Sequence, residues 1–186
     1  MTPMSTDGLA QALGDARQGD ERAIAALYRA LNPLLLRYLR HHAGPVAEDL
    51  ASEVWMALAP RLATFAGDES DFRALMFTIA RRRIVDEHRR RGRRVATAPL
   101  AEYDAPAGDS PEDLVVAGLT AQGAVEALAC HLPADQAEIV LLRVLGDLDV
   151  AQVAAIVGKT NGAVRVAQHR ALQRLQQVFH ERAVTG

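Results

Sequence analysis

The sequence predicts an all-α protein built as two small helical domains joined by a flexible acidic linker. Three observations carry this expectation. Apolar residues recur at spacings of three and four over several long stretches, the period of a helix face. Aromatic residues make up 4% of the chain while Ala and Leu dominate it, which favours helices over a β-sandwich. A central stretch is rich in Pro, Gly and acids and holds no Lys or Arg, a composition that cannot bury enough surface to fold alone. With 49% hydrophobic residues among 186, the rest of the chain has the material for a core.

Residues 1–18 read as an N-terminal tail and 19–94 as the first domain. From Gly19 to His42, Ile24, Leu27, Tyr28, Leu31, Leu34, Leu35, Tyr38 and Leu39 form one apolar face, with Pro33 expected to kink or break the helix. After the turn His42-Ala43-Gly44-Pro45, a second helix spans about Val46 to Leu62, with Leu50, Val54, Leu58 and Leu62 on one stripe. Asp20, Glu21, Glu48 and Asp49 fall in first turns, where the helix dipole favours carboxylates. A polar loop from Thr64 to Asp71 leads into a third helix, about Asp71 to Arg91, whose apolar residues give way to arginines.

Residues 95–110 read as the linker, and 111–182 as the second domain. Ser110-Pro111-Glu112-Asp113 is a strong helix start: a cap, a proline in the first turn and two acids. Leu132-Pro133 opens a further helix with Ile139, Val140, Leu142, Val144 and Leu145 on its apolar side. Asp149 with Gln152 is a reciprocal cap for a short helix bearing Val150, Val153, Ile156 and Val157. Gly158-Lys159 makes the turn, and Thr160 caps a last helix. The inner face of that helix is Val164, Ala171, Leu172, Leu175 and Phe179, and its outer face carries Arg165, Val166, His169, Arg170, Gln173 and Arg174. A short helix, a tight turn and a longer helix with arginines on its free face form a DNA-binding helix-turn-helix; an ordinary αα-hairpin is the alternative on pattern alone.

The formal net charge of −2 hides strong segregation. Residues 73–94 hold 9 basic and 2 acidic side chains, whereas residues 95–142 hold 8 acidic and no basic ones. Eight arginines, Arg81, Arg82, Arg83, Arg89, Arg90, Arg91, Arg93 and Arg94, crowd one stretch and repel one another unless phosphates or counterions neutralise them. A partner feels the local field, because screening extends over roughly 10 Å at 0.1 M salt.

The segment LPADQAEIVLLRVLGDLDVAQVAAIVGKTNGAVRVAQHRALQRL resembles the minus-35 domain of extracytoplasmic-function (ECF) sigma factors of the bacterial sigma-70 family. AEDLASEVWMAL and FRALMFTIARRRIVDEHRRRGRR resemble that family's polymerase-binding and minus-10 helices, and the tail GAVRVAQHRALQRL resembles an actinobacterial sigma-D-like subgroup. The resemblance implies core RNA polymerase as a partner, through its β′ clamp helices and β flap, together with promoter DNA and an anti-sigma factor. It places minus-35 contacts at Arg143, Arg165, Val166, His169 and Arg170. Minus-10 contacts fall at Phe65, Phe72, Arg81, Arg82, Arg83, Arg89 and Arg90, with Phe72 and the loop before it at the position where a flipped base is held. Polymerase contacts fall at Asp49, Glu53 and Trp55, the two acids sharing a helix face at i and i+4. Departures at Asp149, Arg82 and Val166-Ala167-Gln168 mean that the promoter sequence does not transfer from other members. The acidic linker could occupy polymerase surfaces that otherwise hold RNA phosphates, or serve as a spacer.

Other classes fit less well. A stand-alone helix-turn-helix regulator would act without polymerase, and a zinc-type anti-sigma factor needs paired cysteines where Cys130 is the single one. His41, His42, His88, His131, His169 and His180 show no metal spacing, and no phosphate loop or nucleophile context appears, so neither catalysis nor a cofactor is expected. No apolar run approaches the roughly 18 residues of a membrane span, which points to the cytoplasm and away from membrane insertion.

Overall fold

The computed structural model describes the backbone of residues 6–97 and 129–185 and the side chains of residues 8–92 and 129–177. Seven α-helices and two short 3₁₀ segments occur among the described residues, with no strand. The helices are α1 (Thr6–Arg17), α2 (Glu21–Ala43), α3 (Ala47–Leu58), α4 (Glu69–Thr97), α5 (Ala134–Val144), α6 (Val150–Val157) and α7 (Asn161–Thr185). The all-α expectation holds. The boundaries of the linker fall mostly outside the described residues, as does the helix start at Ser110.

Part of the segment read as an N-terminal tail is α1. Leu9, Ala12, Leu13 and Ala16 are buried against the domain, so α1 is a wall of the core. A two-turn apolar stripe of this kind is stable only with a partner face, here α2. Asp20 begins α2 by accepting from the backbone N–H groups of Arg22 and Ala23 at 2.7 and 3.3 Å. The helix then runs unbroken through Pro33 to Ala43, correcting the expected break. Pro33 lies on the exposed side, where water can take the carbonyl it leaves unpaired.

The second helix is shorter than its apolar stripe suggests: α3 ends at Leu58, and Ala59–Thr64 tightens into a 3₁₀ segment around Pro60. Leu35, Tyr38, Leu39, Val54, Leu58, Phe72, Met76 and Phe77 are wholly or nearly wholly buried at the centre of the first domain. The arginine helix α4 begins two residues before the expected start and reaches Thr97, so the first three linker residues are helical. Its N-terminus is closed by a reciprocal pair: Asp71 N–H donates to Asp68 Oδ1 at 2.9 Å, and Asp68 N–H to Asp71 Oδ2 at 3.1 Å.

In the second domain α5 and α6 pack on α7 around Ile139, Leu141, Leu142, Leu148, Val153 and Val164. The Asp149 and Gln152 cap is present in both directions, at 2.7 and 2.9 Å. Gly158 takes φ +70° to end α6, a left-handed conformation that costs a β-carbon-bearing residue free energy. Thr160 Oγ1 accepts from Ala163 N–H at 3.2 Å to start α7. Two inner-face assignments are corrected: Val144 and Leu172 are 40% and 49% exposed, each standing one position off the buried stripe of its helix. The side chain of Phe179 lies outside the described residues.

Candidate nucleic-acid interface

Two basic faces are candidates for DNA, one on each domain. On α7, burial of Val164, Ala171 and Leu175 fixes the rotation of the helix. Arg165, Val166, His169 and Arg170 therefore all face solvent, on one side of the N-terminal half. Arg143 is placed differently. It leaves α5 half-buried and donates to the Leu148 carbonyl, tying the end of α5 to the turn before α6.

On α4, Arg82 and Arg89 are exposed, and with Arg81, Val85 and Asp86 they line an open depression of about 360 Å³. Arg89 and the other arginines of this stretch with described side chains, Arg82 apart, have carboxylate neighbours. Arg89 lies 3.7 Å from Asp86, Arg90 3.7 Å and Arg91 3.0 Å from Glu87, and Arg83 3.4 Å from Glu53 of α3. Arg81 Nε donates to Glu138 Oε1 of α5 at 2.8 Å. The Arg89–Asp86 pair is exposed and the Arg83–Glu53 pair about one-third so, and pairs of this kind are worth about 0–1 kcal/mol and yield to a phosphate, whereas Glu87 and Glu138 are more enclosed. The side chains of Arg93 and Arg94 lie outside the described residues.

The aromatic pair at the start of α4 separates into two roles. Phe72 is 1% exposed, seated in the core and edge-on to Phe65 at 5.4 Å between centroids, so it cannot stack a base here. The position expected to hold a flipped base is thus closed over in this structure. Phe65 is half-buried, with the Arg17 guanidinium 5.6 Å from its ring centre, and Arg17 also donates to the Gly67 carbonyl. A β-carbon at Gly67 would lie 2.6 Å from Asp71 Cβ and 2.8 Å from Phe65 Cζ, which only glycine avoids. Arg17 was not singled out in the sequence, because it sits in the segment read as a tail, whereas Gly67 lies in the polar loop expected there.

The polymerase candidates share α3. Asp49 is exposed and Glu53 is partly so. Trp55 is half-buried, its indole N–H donating to Asn32 Oδ1 at 2.9 Å and its ring 5.1 Å from Tyr28. Tyr28 and Met56, 46% and 67% exposed, extend this apolar surface beside the acids.

Behind α4 lies a titratable cluster. Burial, and then the Glu138 charge, raise the Tyr38 phenol well above its ordinary range; its O–H donates to Glu138 Oε1 at 3.3 Å. Burial lowers His41 as well. Burial chiefly, then His41, His88 and Arg81, lower His42 to about 3, keeping it neutral. Among the described residues no group of His, Cys, Asp and Glu is arranged to hold a metal, and no helix is long and apolar enough to cross a membrane.

Comparison with known proteins matches both domains. The sigma-70 region 2 family matches residues 27–94 and the sigma-70 region 4 family residues 122–175. The ECF RNA polymerase sigma factor SigD of Mycobacterium tuberculosis is 37% identical over 183 residues, covering 93% of this chain and 84% of that protein. ShbA of Streptomyces griseus, another ECF sigma factor, is 34% identical over 172 residues, covering 87% and 90%. The fold is shared with the sigma factor RpoE in its complex with the anti-sigma factor NepR from Bartonella quintana, at TM-score 0.59 and 22% identity over 84% of this chain and 96% of that one. A stand-alone helix-turn-helix regulator is not favoured, since the region 2 match spans α4 and the acidic helix α3 as well. With both promoter-facing regions present in order and the relatives aligned over nearly the whole chain, the protein belongs to the ECF RNA polymerase sigma factors of the sigma-70 family.

Proposed function

We propose that the exposed face of α7 reads the minus-35 element through Arg165, Val166, His169 and Arg170, while Arg82 and Arg89 lead α4 onto minus-10 DNA, joined by Arg81, Arg83 and Arg90 as their carboxylate neighbours yield. The observation that carries this reading is the rotation of α7: Val164, Ala171 and Leu175 turn inward, leaving the arginines free to enter a major groove. Arg165 and Arg170 offer the planar fork that pairs with guanine or phosphate, and Val166 offers apolar contact, as to a thymine methyl.

Asp49 and Glu53, with Trp55 beside them, form the surface offered to core polymerase. A row of carboxylates flanked by an exposed Tyr28 and Met56 combines charge complementarity with an apolar anchor. Phe65 is the ring available for stacking an unpaired base, with Phe72 setting its position. Arg143 acts on the minus-35 contact chiefly by shaping the turn before α6. The chain acts as an initiation factor without catalysing a step itself, in the cytoplasm where its polymerase is.

In vitro transcription with core polymerase on a genomic promoter library tests this reading. The expected result is initiation from a set of promoters sharing two elements about one minus-10 to minus-35 spacing apart. Binding of duplex promoters with no dependence on core enzyme would overturn it.

A further inference from the structure

The loop between the 3₁₀ segment Ala59–Thr64 and α4 is fixed from two sides. On one side the reciprocal pair of Asp68 and Asp71 ties it to the first turn of α4. On the other, α1 packs against the 3₁₀ segment and α4, and brings its last residue, Arg17, to the loop. The half-buried Arg17 side chain donates through Nη2 to the Gly67 carbonyl and sets its guanidinium over the Phe65 ring, 5.6 Å from the centre. Phe65 thus meets both a cation and the edge-on ring of Phe72. Ala66 and Asp68, on either side of Gly67, are exposed, so the tip of the loop is open to a ligand. Arg17 Nε is buried with no hydrogen-bond partner, a cost that an apolar side chain closing the core here would not incur.

From this geometry we infer that Arg17 is a positioning residue for capture of an unpaired base: it sets the Phe65 ring and the Gly67 turn before DNA arrives, which makes α1 part of the promoter-melting machinery. The physical reason is preorganisation. Ordering a loop and an aromatic side chain on binding consumes free energy, and a loop already ordered leaves more of the stacking energy to the base. Extruding a base from a duplex is unfavourable, so melting depends on how well the extruded base is held. A guanidinium serves both contacts at once, because its planar fork points an N–H at the carbonyl while the cation lies over the ring. An ammonium is a point charge and fills this double role less well.

This role rests on the assignment of Phe65 to an unpaired base, and the two are separable by experiment. Holoenzymes of core polymerase with the full chain, or with its Arg17→Ala, Arg17→Lys or Phe65→Ala variant, bind fork-junction probes carrying a minus-10 element recovered from the promoter library. Each probe is intact or holds an abasic site at one non-template position in turn, and competition gives the ratio of affinities for base over abasic. At the captured position the ratio should fall about tenfold in Arg17→Ala and about threefold in Arg17→Lys, with abasic binding unchanged. Arg17→Lys keeps the stem and the charge, which guards against misfolding of the alanine variant. A wild-type ratio in either variant, or an equal loss on both probes in Arg17→Lys, overturns the role, since a merely structural residue has no dependence on the base. Failure of the Phe65 assignment is distinguishable: Phe65→Ala would then keep the wild-type ratio at every position.

Discussion

The Glu53 carboxylate on α3 lies 3.4 Å from the Arg83 guanidinium on α4, tying the face assigned to polymerase to the face assigned to DNA. Both side chains are about one-third exposed, so the pair adds little to stability, of the order of 1 kcal/mol or less. Its consequence is electrostatic: a partner that takes up Glu53 leaves Arg83 without its nearest acid. Asp49→Ala with Glu53→Ala should therefore abolish capture of the chain by immobilised core polymerase while the melting temperature changes by no more than about 4 °C. Retained capture would move the polymerase surface elsewhere, to Tyr28 and Met56 first.

Arg165→Ala should reduce discrimination at one minus-35 base pair by about 1–3 kcal/mol, if its guanidinium is bidentate to a guanine. Competition binding against promoters altered at single positions measures it. A loss spread evenly over all sequences would assign Arg165 to phosphate.

Gly67→Ala should destabilise the first domain by roughly 1–3 kcal/mol, because the added methyl meets the Asp71 and Phe65 side chains at sub-van der Waals range. The Asp68 and Asp71 cap would have to shift with it. Thermal unfolding is the readout, and an unchanged midpoint would show that the loop yields without cost.

Asp149→Ala removes the half of the α6 cap in which the Asp149 carboxylate accepts from the Gln152 N–H, leaves the backbone N–H of residue 149 donating to Gln152 Oε1, and should lower stability by about 1 kcal/mol, or some 2–4 °C in melting temperature. Asp149→Ser retains an acceptor for the Gln152 N–H and should recover most of the loss.

His42 gives the fold an acid sensitivity with a definite sign. Its folded-state value, about 3, lies below the ordinary 6.5, so the unfolded chain takes up the proton first as pH falls. The stabilisation held by the neutral ring is complete above about 6.5, declines through the interval down to about 3, and changes no further below it. His42→Gln should flatten the pH dependence of the urea midpoint in that interval. An unchanged slope would place the proton uptake on another group.

Local features were legible from residue order alone because they depend on neighbours three or four positions apart. The Asp149 and Gln152 cap, the Gly158 turn, the Thr160 start and the outward positions Arg165, Val166, His169 and Arg170 are all of this kind. The first helix was not legible, since Leu9 and Leu13 define a face only once α2 lies against them. Phe72 fails for the same reason: its spacing fits either a site or a core, and the neighbours that bury it come from outside its own turn.

By itself, then, the sequence determined an all-α chain with an arginine-rich helix, a capped helix-turn-helix and carboxylates on α3, because periodicity, capping and charge density are local quantities. Only the tertiary structure decided which of those charges stand free. Arg81 and Glu138 are 57 positions apart, and Arg83 and Glu53 belong to different helices. Packing Phe77 against the Gly146 backbone brings the first and second domains together, and at that separation the nearest counterion of an arginine is set by the fold, with no trace in its own helix.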